Sequence, residues 1–343
     1  MSTSVSVLDL STSRNPDGSF DNEFIENLRE AAHNVGFFQV TNYGARQGQV
    51  QELLDAVAGF FALPLEQRLA LDNRTSAQFR GYTRLGAEIT RGRADSREQI
   101  DFGPDRDPVS TVPADKLYWR LQGHNQWPPA YPDLERAASE WARLMADTGR
   151  ELLAAISVAL GLPEDYFDEP FAGAPAWMSK LVHYVGGQVP AAGTQGVGSH
   201  ADYGFVTLLL QDSVGGLQVQ PHGHTDWIEV VPIPGALVVN LGEMLEVATS
   251  GYLMATIHRV IAPPPGVDRY SVPFFYSPRL DAVIGKVPLA PARAAAAPGV
   301  SDDPDNPMLS SYGANVLKGF VRAHPETARI HYPELGTSRD SSS

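Results

Sequence analysis

Apolar positions in the first half of the chain recur with a helical period, and those of the second half alternate. Phe24, Ile25, Leu28, Ala32 and Val35 fall on one stripe, as an amphipathic helix requires. Asp21 or Asn22 supplies its N-cap and Gly36 its stop. A second stripe, Val50, Leu53, Leu54, Val57, Phe60 and Phe61, ends near Pro64, which cannot continue a helix. A third and longer one runs from about Pro132 to Leu160 through Leu134, Ala138, Trp141, Met145, Leu152 and Ile156, and Gly161 closes it. Val5–Leu10 and Phe37–Thr41 read as short strands, the second followed by the turn Asn42-Tyr43-Gly44.

Residues 71–130 show little periodicity and are rich in Arg, Asp, Gly and Pro. They are expected to form loops and short strands, with a lid near the site. From Ser179 to Pro278 short β-branched and aromatic runs alternate with turn residues: Leu181–Val185, Phe205–Gln211, Leu217–Gln220, Trp227–Val231, Leu237–Leu241, His258–Ile261 and Ser271–Tyr276. Such a series predicts a double-sheet jelly roll. The expected fold class is therefore α+β, a double-stranded β-helix core with flanking helices. Ala292–Pro298 reads as a connector and Met308–Arg322 as a helix. The expected divisions are an N-terminal region of helices and short strands (1–130), a long helix with connector (131–175), the jelly-roll core (176–280), a C-terminal helical extension (281–336) and a disordered tail (337–343).

Composition narrows the picture. A hydrophobic fraction of 43% in 343 residues allows a sizeable core. No apolar run approaches the roughly 20 residues of a membrane helix, and Met1–Leu10 lacks the pattern of a secretory signal. The absence of cysteine excludes disulfides and thiolate metal sites. A net charge of −14 argues against a nucleic-acid or anionic-membrane surface. A cytoplasmic protein acting on a small molecule is expected; the oligomeric state stays open.

The candidate chemistry sits between His200 and Ser271. Side chains two apart on a strand share a face, so His200 and Asp202 can enter one barrel mouth, and His258 opens a later strand. Two imidazoles and a carboxylate form a facial set that suits Fe(II), although Zn(II), Mn(II) or Co(II) could occupy it. Three protein ligands leave coordination positions open, unlike a structural site. His222-Gly223-His224 is the rival pair, but Pro221, Gly223 and Thr225-Asp226 make it an exposed hairpin turn. His33, His124, His183, His324 and His331 have no partner at ligand spacing. Arg269 and Ser271 also share a face. An arginine pointed into a barrel needs an anion, and a carboxylate accepts its two parallel donors while Ser271 adds another.

These residues and many others in order resemble the isopenicillin N synthase-like branch of the iron(II)/2-oxoglutarate-dependent oxygenases. Val5–Leu10, Gly36–Gly44 and Phe60–Pro64 look like its N-terminal region, and Arg80-Gly81-Tyr82 and Asn125–Pro128 like its middle. His200–Gly204, Leu208–Asp212, Gly215–Val219, Asn240–Met244 and His258-Arg259-Val260 look like its catalytic core. The resemblance implies iron on His200, Asp202 and His258, the distal carboxylate of 2-oxoglutarate on Arg269 and Ser271, and Tyr184 helping to hold that co-substrate. It implies a dioxygenase that uses O₂ to oxidise, usually hydroxylate, a C–H bond of a metabolite, often in secondary metabolism, releasing succinate and CO₂. The sequence departs from the pattern at Tyr43, Val182 and Ala255-Thr256-Ile257, none of them in the metal or Arg-x-Ser sets. Three other readings stand beside it. One is an iron oxidase of the isopenicillin N synthase type, needing no 2-oxoglutarate, in which Arg269 and Ser271 bind the substrate's own carboxylate. The others are a zinc hydrolase or lyase and a non-catalytic binding protein. Arg80, Tyr82, Phe102, Phe205, Phe275 and Tyr276 are the expected substrate-pocket residues.

Overall fold

A computed structural model describes residues 5–186, 195–301 and 306–336; the tail expected at 337–343 lies outside them. The strands in chain order are β1 (Ser6–Asp9), β2 (Phe37–Thr41), β3 (Gly81–Thr83), β4 (Ile89–Thr90), β5 (Arg93–Ala94), β6 (Glu98–Phe102), β7 (Met178–Tyr184), β8 (Gln195–His200), β9 (Val206–Gln211), β10 (Leu217–Gln220), β11 (Ile228–Glu229), β12 (Leu237–Leu241), β13 (Ile257–Ile261) and β14 (Arg269–Tyr276). They form a large sheet, β1-β2-β12-β9-β14-β7-β6-β3, a small one, β11-β10-β13-β8, and the separate pair β4-β5. All pairings are antiparallel within the large sheet except β1 with β2. The two sheets face each other as a jelly roll, with helices covering the outside of the larger.

Alternation along the strands divides the core in two. Outward residues of the large sheet, among them Leu208, Leu210, Val239, Val272, Phe274 and Tyr276, pack against Trp141, Met145, Leu152 and Ile156 of the long helix Pro132–Ala159. Inward residues Val182, Tyr184 and Val238 meet Val197, Leu217, Val219 and Val260 of the small sheet. The helix Asn22–Asn34 is capped by Asp21, which accepts from Phe24 N at 2.9 Å, and Gln49–Phe61 forms the next. Burying each large apolar side chain in these layers contributes about 1.5–3 kcal/mol, which is what holds the helices to the sheet.

The structure departs from expectation in three places. Strand β8 is not anticipated by the sequence pattern, because Gln195-Gly196-Val197-Gly198 carries too few side chains to show alternation. The short strands expected in residues 71–130 include β3 and β6, which extend the large sheet through β6–β7 pairing. In the same stretch the β4–β5 hairpin lines the cavity described below. The connector at 292–298 contains the Ala-rich helix Pro291–Ala296. The C-terminal helix, Tyr312–Ala323, is followed by another, Pro325–His331.

Candidate active site

His200 ends β8 and lies opposite His258 of β13 in the antiparallel register, and Asp202 follows in the link to β9. Their ligand atoms all lie within 4.8 Å of one another, and among the described residues this is the one such group of His, Asp or Glu side chains. Asp202 Oδ1 stands 3.6 Å from His200 Nε2 and 3.8 Å from His258 Nε2. Each imidazole is aimed by its other nitrogen: His200 Nδ1 donates to Gly198 O at 2.8 Å and His258 Nδ1 to Thr256 O at 3.1 Å. With Nδ1 carrying the proton, Nε2 keeps its lone pair for the common centre. Asp202 Oδ2 is held by Thr207 Oγ1 at 2.6 Å and Asn240 Nδ2 at 2.8 Å, which leaves Oδ1 free.

Electrostatics favour the ligating protonation states of His258 and Asp202. Burial, reinforced by His200, lowers His258 to about 4 against the opposing pull of Asp202, so the imidazole is neutral at pH 7. Burial alone would raise Asp202, but His258, His200 and the bonds from Asn240 and Thr207 outweigh it and the carboxyl falls below its ordinary value. Neutral imidazoles and an anionic carboxylate are the forms in which these groups bind a divalent cation.

Arg269, 1% exposed, lies deeper in the barrel. Its Nε donates to Gly215 O at 2.6 Å and its Nη2 to Gln211 Oε1 at 3.1 Å, while Nη1 is buried with no partner. Its Cζ sits 4.7 Å from the Tyr184 ring centroid, a cation–π contact across a paired position of β14 and β7. Among the described residues no carboxylate is within ion-pair distance of it. Buried Ser271 and Arg269 both line the cavity. A buried cation with an orphaned donor, neighboured by a hydroxyl, fits the carboxylate end of 2-oxoglutarate, and the set of two imidazoles and a carboxylate fits its iron.

The cavity that joins these groups has a volume of about 1390 Å³. Arg80 and Phe275 line it. Tyr82, Phe102, Phe205 and Tyr276, expected in the pocket, do not, and strand parity explains two of them. Phe275 follows Arg269, Ser271 and Pro273 inward, so Tyr276 faces out and stacks on Phe171 at 4.8 Å. Phe102 points away between Asp101 and Gly103, toward Trp127 at 5.1 Å. Phe205 packs edge-on against Phe167 and Phe171. The Tyr82 hydroxyl is engaged with Glu98 and with Arg68.

Sequence reasoning misses a charged group on the same wall. Lys180 Nζ lies 2.8 Å from Asp101 and 3.2 Å from Glu88, and Arg97 reaches Glu88 at 2.7 Å; all four line the cavity. Lys180 shares the parity of Val182 and Tyr184, a signal that is present in the sequence. The His222–His224 turn is exposed between β10 and β11. His183 and His324 are buried near Glu98 and Glu88 respectively.

Residues 5–130 match the family described as non-haem dioxygenase in morphine synthesis N-terminal, and residues 178–278 match the 2OG-Fe(II) oxygenase superfamily. The chain is 36% identical over 283 residues to the 2-oxoglutarate-dependent dioxygenase frbJ of Dothideomycetidae sp. (strain 11243), spanning 81% of this chain and 75% of that protein. It is 34% identical over 266 residues to an Arabidopsis thaliana homoarginine-6-hydroxylase, 2-ODD-C23.1, spanning 76% of this chain and 79% of that one. The crystal structure of a 2OG-Fe(II) oxygenase family protein from Caulobacter crescentus superposes with a TM-score of 0.73 at 28% identity, over 92% of this chain and 97% of that one.

Proposed function

Since the chain belongs to the 2OG-Fe(II) oxygenase superfamily, we propose that His200, Asp202 and His258 hold its iron, that Arg269 and Ser271 hold the distal carboxylate of 2-oxoglutarate, and that Phe275 and Arg80 face the substrate. The enzyme is a non-haem Fe(II)- and 2-oxoglutarate-dependent dioxygenase acting on a small molecule. The bound iron, with O₂ and 2-oxoglutarate, supplies the power to oxidise a C–H bond as succinate and CO₂ leave.

The observation that carries the residue assignment is the pairing of two aimed imidazoles and a free carboxylate oxygen with an orphaned guanidinium donor in the same cavity. Gly198 O and Thr256 O orient the imidazoles, and Asn240 and Thr207 keep Oδ2 of Asp202 occupied so that Oδ1 is presented. Arg269, itself clamped by Gly215 O and Gln211, offers Nη1 without reorganisation.

The proposal places the enzyme in the cytoplasm and its substrate among small secondary metabolites, rather than on nucleic acid; cell fractionation tests the first point. No helix among the described residues is long and apolar enough to cross a membrane. A metabolite-library screen that reads succinate release with Fe(II) and O₂ tests the reaction. One succinate per oxidised product is expected. Product formed without succinate would instead assign Arg269 and Ser271 to the substrate's own carboxylate.

A further inference from the structure

The register of the large sheet maps positions around the metal set. Asn240, Thr207, Phe275 and Met178 form one inward row across β12, β9, β14 and β7. Asn240 and Thr207 are the residues that bond Asp202, so this row lies at the level of the metal ligands. Phe102 pairs with Ser179, so Gly103, one residue past β6, continues the row beside Met178. At this point the wall carries a cation. Arg80 Nη2 lies 2.9 Å from where a Cβ on Gly103 would stand, so the guanidinium rests on the bare backbone that glycine leaves.

Arg80 is 8% exposed and lines the cavity. Its side-chain hydrogen bonds all leave through Nη1, to Pro104 O at 2.9 Å, Gly123 O, and Asn125 Oδ1 at 3.1 Å. Every acceptor is neutral. Nε and Nη2 have no acceptor among the described residues, and no carboxylate among them comes within ion-pair distance. Asp105, which attracts Arg80 from further off, spends its oxygens on His124 and on Asn125 N. Arg106, half-buried on the same cavity, is also bonded only to carbonyls, Ala174 O and Pro175 O. Burial lowers Arg80 to about 10; Asp105 opposes the fall and Arg106 adds to it. Two under-compensated guanidiniums thus share one wall of an acidic protein. The neighbouring charges Lys180, Arg97, Glu88 and Asp101, by contrast, neutralise one another.

Resting on the reading that this cavity holds the substrate, we propose that Arg80, backed by Arg106, binds a carboxylate of the molecule to be oxidised. An anion there satisfies Nε and Nη2 as Arg269 is satisfied by the co-substrate. Three strand steps separate Gly103 from Thr207, on the order of 14 Å at about 4.8 Å each. Met178 and Phe275 line the interval. The substrate class is therefore an organic acid whose carboxylate is separated from the oxidised carbon by an apolar body. A purely structural Arg80 would only tie residues 103–104 to 123–125.

The test uses holoenzyme with Fe(II) and 2-oxoglutarate, kept anaerobic so that nothing turns over. It titrates ω-phenyl alkanoates from phenylacetate to 6-phenylhexanoate, each against its amide and the corresponding amine, and follows tryptophan fluorescence. At least one acid is expected to bind roughly tenfold more tightly than its amide. Arg80→Gln should abolish that preference, Arg80→Lys should keep part of it, and 2-oxoglutarate affinity should stay unchanged in both. Gly103→Ala, which displaces Nη2, should weaken the acid alone. Equal binding of acid and amide, no binding across the series, tightest binding of an amine, or a preference that survives Arg80→Gln would each overturn the proposal; the amine result would point to Glu88 and Asp101. If Arg80→Gln does not fold, the wild-type acid–amide comparison and Gly103→Ala still decide it. Failure of the oxygenase assignment shows separately, as absent 2-oxoglutarate binding in the same titration.

Discussion

Two stretches of one cavity wall are built differently. On β9, β12 and β14 the polar groups are few, with Thr207 and Asn240 bonded to Asp202 and Arg269 to Gln211 and Gly215 O, and Leu209 and Pro273 line the cavity between them. On β6, β7 and the segments around them the polar groups are many: Arg80, Glu88, Arg97, Asp101 and Lys180 come from four separate parts of the chain. In the proposed assignment the first stretch braces the metal ligand Asp202 and presents Arg269 and Ser271 to the co-substrate, whose shape does not vary. In the same assignment the second, Tyr184 apart, faces the substrate. Rigid placement by adjacent backbone suits an invariant ligand, whereas a wall assembled from distant loops can change one charge without moving the metal.

Substitutions at the metal set should show the largest effect. His258→Ala and Asp202→Ala are expected to lower succinate release by at least about a thousandfold and to lose iron, because two ligands cannot hold the facial geometry. Retention of most metal in both variants, measured by elemental analysis, would break the assignment. Arg269→Ala should raise the 2-oxoglutarate KM by about a hundredfold, as loss of a bidentate charged pair predicts, while Arg80→Ala leaves that constant unchanged. Equal shifts in both variants would erase the distinction between the two stretches.

The pair Phe205 and Phe275 sharpens the comparison at the level of stability. Phe205→Ala opens a void against Phe167 and Phe171 and should cost about 3–5 kcal/mol in urea unfolding. Phe275→Ala should cost less and act mainly on the KM of the organic substrate, since one face of that ring already borders the cavity. Asn240→Ala, the mildest of the set, frees one bond to Asp202 Oδ2 and should weaken iron binding about tenfold, read by competition with a chelating dye.

Much of this wall is legible in the sequence. Strands β10 and β12 have the residues expected of them, and β9 and β14 differ from expectation only at their first residues, because β-branched and Leu-rich runs between turn residues leave little ambiguity. The two-residue spacing in His200-x-Asp202 and Arg269-x-Ser271 carries the proposed site chemistry. Tyr276 and Phe102 are misplaced when aromatic character is weighed above parity: Arg269, Ser271, Pro273 and Phe275 already specify which face Tyr276 cannot occupy. Strand β8 is hidden by its glycines, and β6 by Glu98, Gln99 and Asp101, whose polar side chains mimic a loop until Lys180, Arg68 and His183 are there to pair with them.

Local rules settled what local rules can: the helix limits at Asp21 and Pro132, the alternation of β14, and the kind of atom each candidate residue could offer. Covalent geometry fixes these, since side-chain direction repeats every two residues in a strand and about 3.6 in a helix whatever surrounds them. The meeting of His258 with His200, the orphaning of Arg269 Nη1 and the resting of Arg80 on Gly103 belong to the folded chain alone. Backbone hydrogen bonds between strands set those encounters, and every residue except proline offers the same donor and acceptor to them, so only the packed sheets could choose which residues face each other.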